Sequence, residues 1–260
     1  MKIHVVKIGG HLINDKNFLN IFLKSFCKLS GYKILIHGGG EIANIILDKM
    51  KIPKKIIQGR RITDKRTLEV AIMTYAGIIN KNIVALLQYY KCNAIGLCGA
   101  DGNCIQSEYA KKEKNIDYGY VGEIKNSKSI NTNLIKFLLI NNITPVLCPI
   151  THNGFGTLLN TNADTIASNV AISLSKKYEI ELHFCFEKKG VLKNIYDSDS
   201  FFHKVNFKLF LEMKKNSTIY NGMIPKLENA FFALKNGVYR VSIGSYYSLN
   251  DLYNKTIIYL

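Results

Sequence analysis

Short apolar strands and longer helical stretches take turns along nearly all of this 260-residue chain, and that alternation limits the possible folds more than any other feature. Residues 3–8 carry β-type patterning, 17–29 a helical period, 33–36 a strand and 41–49 a helix. The pattern continues with a strand at 94–97, a helix at 133–141, a strand at 144–149, a helix at 164–174 and a strand at 180–186. A strand that returns through a helix runs parallel to the one before it, so the expected fold is α/β, a parallel sheet wrapped by helices. No internal repeat or proline-rich linker divides the chain, so any two lobes share one continuous sheet, with a junction near residues 175–178. Residues 64–90 read as one long helix, apolar nearly all round through Leu68, Ala71, Ile72, Tyr75, Ile79, Ile83 and Leu87. Such a helix has to bury both sides, one on the sheet and the other on a second subunit, which predicts a homodimer.

No run approaches ~18 uninterrupted apolar residues, and Met1 leads straight into an alternating strand without the parts of a secretory signal. No membrane span and a cytoplasmic location are expected. The formal charge of +16 comes from lysines scattered among Asn and Ile, with no nucleic-acid-binding module, so no nucleic-acid partner is expected either. Arginine occurs only at Arg60, Arg61, Arg66 and Arg240, and the first three mark a place for planar recognition of carboxylate or phosphate. The six cysteines form no C-x-x-C pair and have no histidine at zinc spacing; they read as reduced and mostly buried, and no metal ligands are assigned. Residues 106–122 turn polar, with a charge run at 111–114 flanked by Tyr109, Tyr118 and Tyr120. Two readings stand for them, an exposed β-hairpin acting as a flap and a plain solvated loop.

Four strings bear on chemistry. Lys7-Ile8-Gly9-Gly10 ends an apolar strand with a lysine, which either reaches solvent or meets an anion, since an unpaired buried ammonium is costly. His37-Gly38-Gly39-Gly40 ends a second strand with three glycines before a helix, leaving successive amides open to negative oxygens. Asn160-Thr161-Asn162-Ala163-Asp164 opens a helix, where Asn162 or Asp164 serves as a cap or as part of a site. Gly222-Met223-Ile224-Pro225-Lys226 places another lysine at a helix start, and Asp164 is the carboxylate expected to hold Lys7 and Lys226 together. The H-G-G-G string also occurs in esterases, but no G-x-S-x-G elbow accompanies it. A P-loop and a protein-kinase motif set are equally absent, and a dinucleotide fold is disfavoured.

These strings in this order resemble the amino acid kinase family, together with Gly59-Arg60-Arg61-Ile62-Thr63-Asp64, a G-x-D-G-N string, a G-Y-V-G-E hairpin and P-V-x-x-P-I. The likeness covers essentially the whole chain and leans to the branch that phosphorylates the γ-carboxylate of N-acetyl-L-glutamate in arginine biosynthesis. It implies a three-layer α/β/α sandwich around a mainly parallel sheet. Residues 1–175 would form an N-terminal lobe for acyl-amino-acid binding and dimerisation, and 176–260 a C-terminal lobe for ATP. By motif, Lys7 and Lys226 would stabilise charge on the transferring phosphoryl, and Asp164 would orient both. Gly39 and Gly40 would offer amides, Arg61 and Asn160 would hold the α-carboxylate end, and Gly9 and Gly10 would face ATP phosphates. Magnesium would enter held mainly by those phosphates.

The chain departs from the family where a T-D-x-x-G-V string is usual and Cys185-Phe186-Glu187-Lys188-Lys189-Gly190-Val191 stands instead. Glu187, Lys189 and Gly190, with Tyr220, are the residues expected around the nucleotide. The helix that precedes the first strand in arginine-inhibited hexamers has no counterpart, which implies a dimer without arginine feedback. Other N-acylated acceptors, such as N-succinylglutamate or an N-acetylaminoadipate, remain as alternatives, as does a non-catalytic metabolite sensor.

Overall fold

The computed structural model describes residues 1–57, 60–112, 116–194, 196–197, 199–216, 218–219, 222–249, 251 and 253–260. Eight strands build the central sheet: β1 Lys2–Ile8, β2 Tyr32–His37, β3 Ala94–Leu97, β4 Thr144–Leu147, β5 Glu179–Phe186, β6 Lys204–Val205, β7 Arg240–Ser245 and β8 Lys255–Ile258. Their order is β6-β8-β7-β5-β1-β2-β4-β3, and every pair is parallel except β7 with β8. Helices cover both faces, giving the α/β/α sandwich. The strands from the two halves of the sequence meet at β1 and β5, in register from Lys2 opposite Glu179 to Ile8 opposite Cys185.

The period of two along β1 explains how it serves both layers. Ile3 and Val5 enter one core with helices Thr132–Ile140, Ala163–Ser175 and Ile224–Lys235, whereas Val6 and Ile8 enter the other with helix Lys16–Cys27. Lys7 is the third residue on the first of these faces, at the carboxyl edge of the sheet, where ligands of open α/β sheets bind. On the opposite face a buried polar string crosses β1, β5 and β7. The Nδ1 of His183 lies 2.8 Å from Ser242 Oγ and its Nε2 3.1 Å from His4 Nδ1, while Glu181 is held by Lys2 at 3.1 Å and Arg240 at 3.3 Å.

The long helix is present as a continuous run, Lys65–Tyr89, whose middle, Met73–Ile79, has π geometry. By length and apolarity it would suffice to cross a membrane, yet Ala71, Tyr75, Ile79, Ile83 and Leu87 are buried in the second core. Met73 and Ile78 point outward and remain half exposed.

A smaller four-stranded sheet sits over the carboxyl edge, in the order Glu108–Tyr109, Val121–Glu123, Leu158–Thr161, Ile150–His152. Its first two strands pair antiparallel, so the hairpin reading holds there, although residues 113–115, which include the end of the charge run, lie outside the described residues. Tyr118 departs from that reading. It is buried, with the Arg60 guanidinium over its ring at 5.7 Å, because a large aromatic at the base of the turn finds the core rather than water.

Candidate active site

Local rules position each group. Asn162 caps helix Ala163–Ser175 by accepting from the amides of Asp164 and Thr165 at 2.8 and 3.1 Å, which leaves the Asp164 carboxylate free in the first turn. The helix N-terminus itself favours a negative group there. Lys226 lies in the first turn of helix Ile224–Lys235, beside Pro225, a residue that first turns tolerate. Strand, cap and proline therefore bring three residues far apart in sequence to one point. Lys7 Nζ lies 2.7 Å from Asp164 Oδ1, and Lys226 Nζ 3.2 Å from Oδ2.

Burial opposes charge on Asp164, but the two ammonium groups outweigh it and hold the carboxyl at about 2. Burial lowers Lys7 below the ordinary lysine value, with Asp164 pulling the other way. An aspartate between two lysines offsets the repulsion of Lys226 on Lys7 and keeps both cations beside the cleft.

The glycines close in from the other side. Gly39 caps helix Gly40–Lys49 with φ 154°, and a Cβ on it would come 2.3 Å from Ile79 Cδ1 in the long helix, so glycine is required twice over. A Cβ on Gly10 would lie 3.4 Å from the Gly39 nitrogen and 3.5 Å from that of Gly40, which measures how closely the two turns approach. Gly9 behaves differently from Gly10. Its amide donates to the Cys185 carbonyl at 3.0 Å, extending the β1 to β5 ladder, so it offers no N–H to a ligand.

At the far wall Arg61 donates through Nη2 to the Gly40 carbonyl at 3.2 Å and to Asn44 Oδ1. Its Nη1 is buried and has no hydrogen-bond partner among the described residues. A buried guanidinium nitrogen left so is a vacant donor for an anion. Asn160 Nδ2 donates to Thr63 Oγ1 at 3.1 Å, which anchors that side chain beside Arg61. Gly122 sits on a hydroxyl ladder of Ser107, Thr151 and Thr161, spaced 2.6 and 2.7 Å; a Cβ on Gly122 would come 2.3 Å from Thr161 Oγ1.

Most of these groups line one cleft of about 910 Å³, with Gly9, Thr63, Ser107 and Thr151 behind its lining. Lys7, Lys226, Asp164, Gly10, Gly39, Gly40, Arg61 and Asn160 all belong to it, as the sequence predicts. The nucleotide residues fare differently. Glu187 and Lys189 are exposed, just past the end of β5, and none of residues 187–190 is in the lining of the cleft. Lys189 is paired with Asp199. Gly190 is small for packing, since a Cβ would lie 2.4 Å from Thr256 Oγ1. Tyr220, like Gly59 of the arginine motif, lies outside the described residues.

Asn44 escapes the sequence reading, and Gly122 and Thr63 enter it only as members of quoted strings, with no role assigned. Asn44 sits four residues after Gly40, one turn along the same helix face, and that spacing was the available signal. Gly122 and Thr63 stand in the G-Y-V-G-E string and the Gly59–Asp64 string, but the contacts that give them a place here, Gly122 against Thr161 and Thr63 with Asn160, join residues far apart in sequence.

The sequence profile of the amino acid kinase family matches residues 2–245. The acetylglutamate kinase of Cytophaga hutchinsonii is 45% identical over 254 residues, covering 98% of this chain and 95% of that enzyme. That of Phocaeicola vulgatus is 43% identical over 250 residues, covering 96% of each. Among solved structures, smu.665 from Streptococcus mutans UA159 superposes with a TM-score of 0.80 at 28% identity, covering 99% of this chain and 98% of that one. With that coverage, and with the paired lysines, the shared aspartate and the glycine turns meeting in one cleft, the chain belongs to the amino acid kinase family.

Proposed function

We propose that this chain transfers the γ-phosphoryl group of ATP to the γ-carboxylate of N-acetyl-L-glutamate, giving an acyl phosphate and ADP. The observation that carries the reading is the convergence of Lys7 and Lys226 on Asp164, across the cleft from the vacant donor of Arg61. A carboxylate acceptor is already ionised at neutral pH and needs no general base. Its oxygen forms the new bond to the γ-phosphorus as the bond to the β,γ-bridging oxygen breaks, and the electron pair leaves with ADP. What the protein supplies is alignment and positive charge.

In this reading Arg61 and Asn160 take the α-carboxylate end of the acyl-amino acid, within residues 1–175. Gly39 and Gly40 direct amides at the oxygens between acceptor and donor, and Gly10 faces the ATP phosphates. The adenosine end extends toward the carboxyl end of β5, where Glu187 follows the strand, so residues 176–260 carry most of the nucleotide contacts. The acidic residues around the cleft suit magnesium that arrives on the nucleotide. Asp164 is taken by its two lysines, Glu123 by Arg60, Glu228 by Lys214, and Glu41 accepts from Asn14. The ion supplies charge neutralisation on the phosphate oxygens. A second copy of the chain would cover the outward side of helix Lys65–Tyr89.

The test is ADP release measured side by side with N-acetylglutamate, N-succinylglutamate, glutamate and aspartate. The highest kcat/KM is expected with N-acetylglutamate. Faster turnover of a free amino acid, or no release with any of the four, overturns the reading.

A further inference from the structure

His37 ends β2, is wholly buried, and plays no part in the mechanism above. Its ring is held at both nitrogens. Nδ1 lies 2.8 Å from the Gly38 carbonyl oxygen, and Nε2 lies 3.1 Å from Asn80 Nδ2. A carbonyl oxygen only accepts and an amide nitrogen only donates, so the two contacts are satisfied together by one species: the neutral imidazole with its proton on Nδ1. Burial pushes the ring down to about 4, which keeps it in that form at neutral pH. Asn80 is fixed in turn. It donates also to the Val146 carbonyl at 3.0 Å, and its Oδ1 accepts from Lys81 Nζ at 3.3 Å. The fit is tight enough that a Cβ on Gly96 would fall 1.8 Å from Asn80 Oδ1.

The consequence lies one bond further on. A trans peptide unit is planar, with its C=O and N–H pointing in opposite directions. Holding the Gly38 oxygen against the imidazole therefore turns the Gly39 N–H the other way. The Gly39 nitrogen lies close to the Gly10 turn, and Gly10, Gly38 and Gly39 all line the cleft. Glycines alone would not keep that peptide in place, because they leave the backbone free to rotate. The Gly38 amide is tied separately, to the Ile8 carbonyl at 3.2 Å.

We propose that His37 is a positioning residue: it locks the Gly38–Gly39 peptide so that the Gly39 N–H is aimed at the phosphoryl oxygens during transfer, with Asn80 of the long helix as its brace. The inference rests on the kinase reading given above. It assigns the histidine of the H-G-G-G string to donor alignment and not merely to filling the end of a strand.

Two substitutions separate the ring's two contacts. His37→Asn keeps an amide donor near the place of Nδ1, and His37→Gln moves it to the place of Nε2 and withdraws it from Gly38. His37→Gln should lower kcat by ~10-fold to 10²-fold, as loss of an aimed donor does, with KM for N-acetylglutamate within about twofold. His37→Asn should recover most of that loss at a similar thermal midpoint. Equal loss in both variants, or wild-type kcat in His37→Gln, overturns the proposal. If neither variant folds, Asn80→Ala carries the test; a several-fold fall in kcat at unchanged KM supports the brace, and wild-type kcat overturns it. A wild-type protein inactive on N-acetylglutamate would remove the substrate assignment and leave this inference testable by binding. ADP with aluminium fluoride, a planar stand-in for the moving phosphoryl, should then bind His37→Gln at least tenfold more weakly, with ADP affinity unchanged; equal affinity for the fluoride complex overturns it.

Discussion

Asp164 is a structural group whose removal should look unlike removal of the lysines it holds. Lys7→Ala and Lys226→Ala each take one positive charge from the transferring phosphoryl and should lower kcat by ~10²-fold or more, with the fold kept. Asp164→Ala leaves two ammonium groups together, one of them buried, and should cost about 3–5 kcal/mol of stability as well as activity. Urea unfolding beside the ADP-release assay separates the two patterns; an Asp164→Ala protein as stable as wild type would contradict the assignment. Lys7 and Asp164 were legible in the sequence for a physical reason. A lysine on a face otherwise made of Ile3 and Val5 reaches either solvent or an anion, and a helix start with two capping residues, Asn162 and Asp164, has one to spare. The residues at 187–190 were read less well, because Lys189 finds Asp199 and Gly190 finds Thr256 through folding of the chain beyond them, and no local pattern records that.

Among the elements, the long helix joins two tasks. Its inner side supplies Ile79 against Gly39 and Asn80 against His37, and its outer side leaves Met73 and Ile78 half exposed, at 49% and 50%. If a second copy covers that side, Ile78→Asp places a charge in an apolar contact and should shift the sedimentation profile from dimer to monomer at micromolar concentration. A wild-type chain that sediments as a monomer would rule the dimer out. The helix itself was legible from its apolar period, and so were β1 to β5, to within a few residues at each end, whereas β6, β7 and β8 were not read. The π segment of the helix was not legible, since residues apolar on every side satisfy either winding. The small sheet was half legible: its hairpin was one of two readings, but both left Tyr118 at the surface, and it is buried with Arg60 of another strand over its ring.

For the whole molecule, the buried histidines set an acid limit. Burial pushes His37 down to about 4 and His183 well below its ordinary value, and lowers His4 against the pull of Glu181. The unfolded chain takes up protons near pH 6.5 where the folded one does not, so stability is full above that pH and falls as pH drops toward 4. His37 removes about 3 kcal/mol across its window, and His183 and His4 act in the same direction. Asp164, held at about 2 against an ordinary 3.8, adds its loss only below that range. The urea midpoint should therefore decline steadily from pH 6.5 to 4.5; a flat profile there would refute it. The meeting of β1 and β5 carries a further consequence. Severed at the turn after Ser175, the front piece would be left with Lys2–Ile8 as a bare margin, its backbone donors and acceptors stripped of their mates along seven residues. A margin of that length and apolarity invites clumping, so the two fragments would have to be produced together to stay in solution.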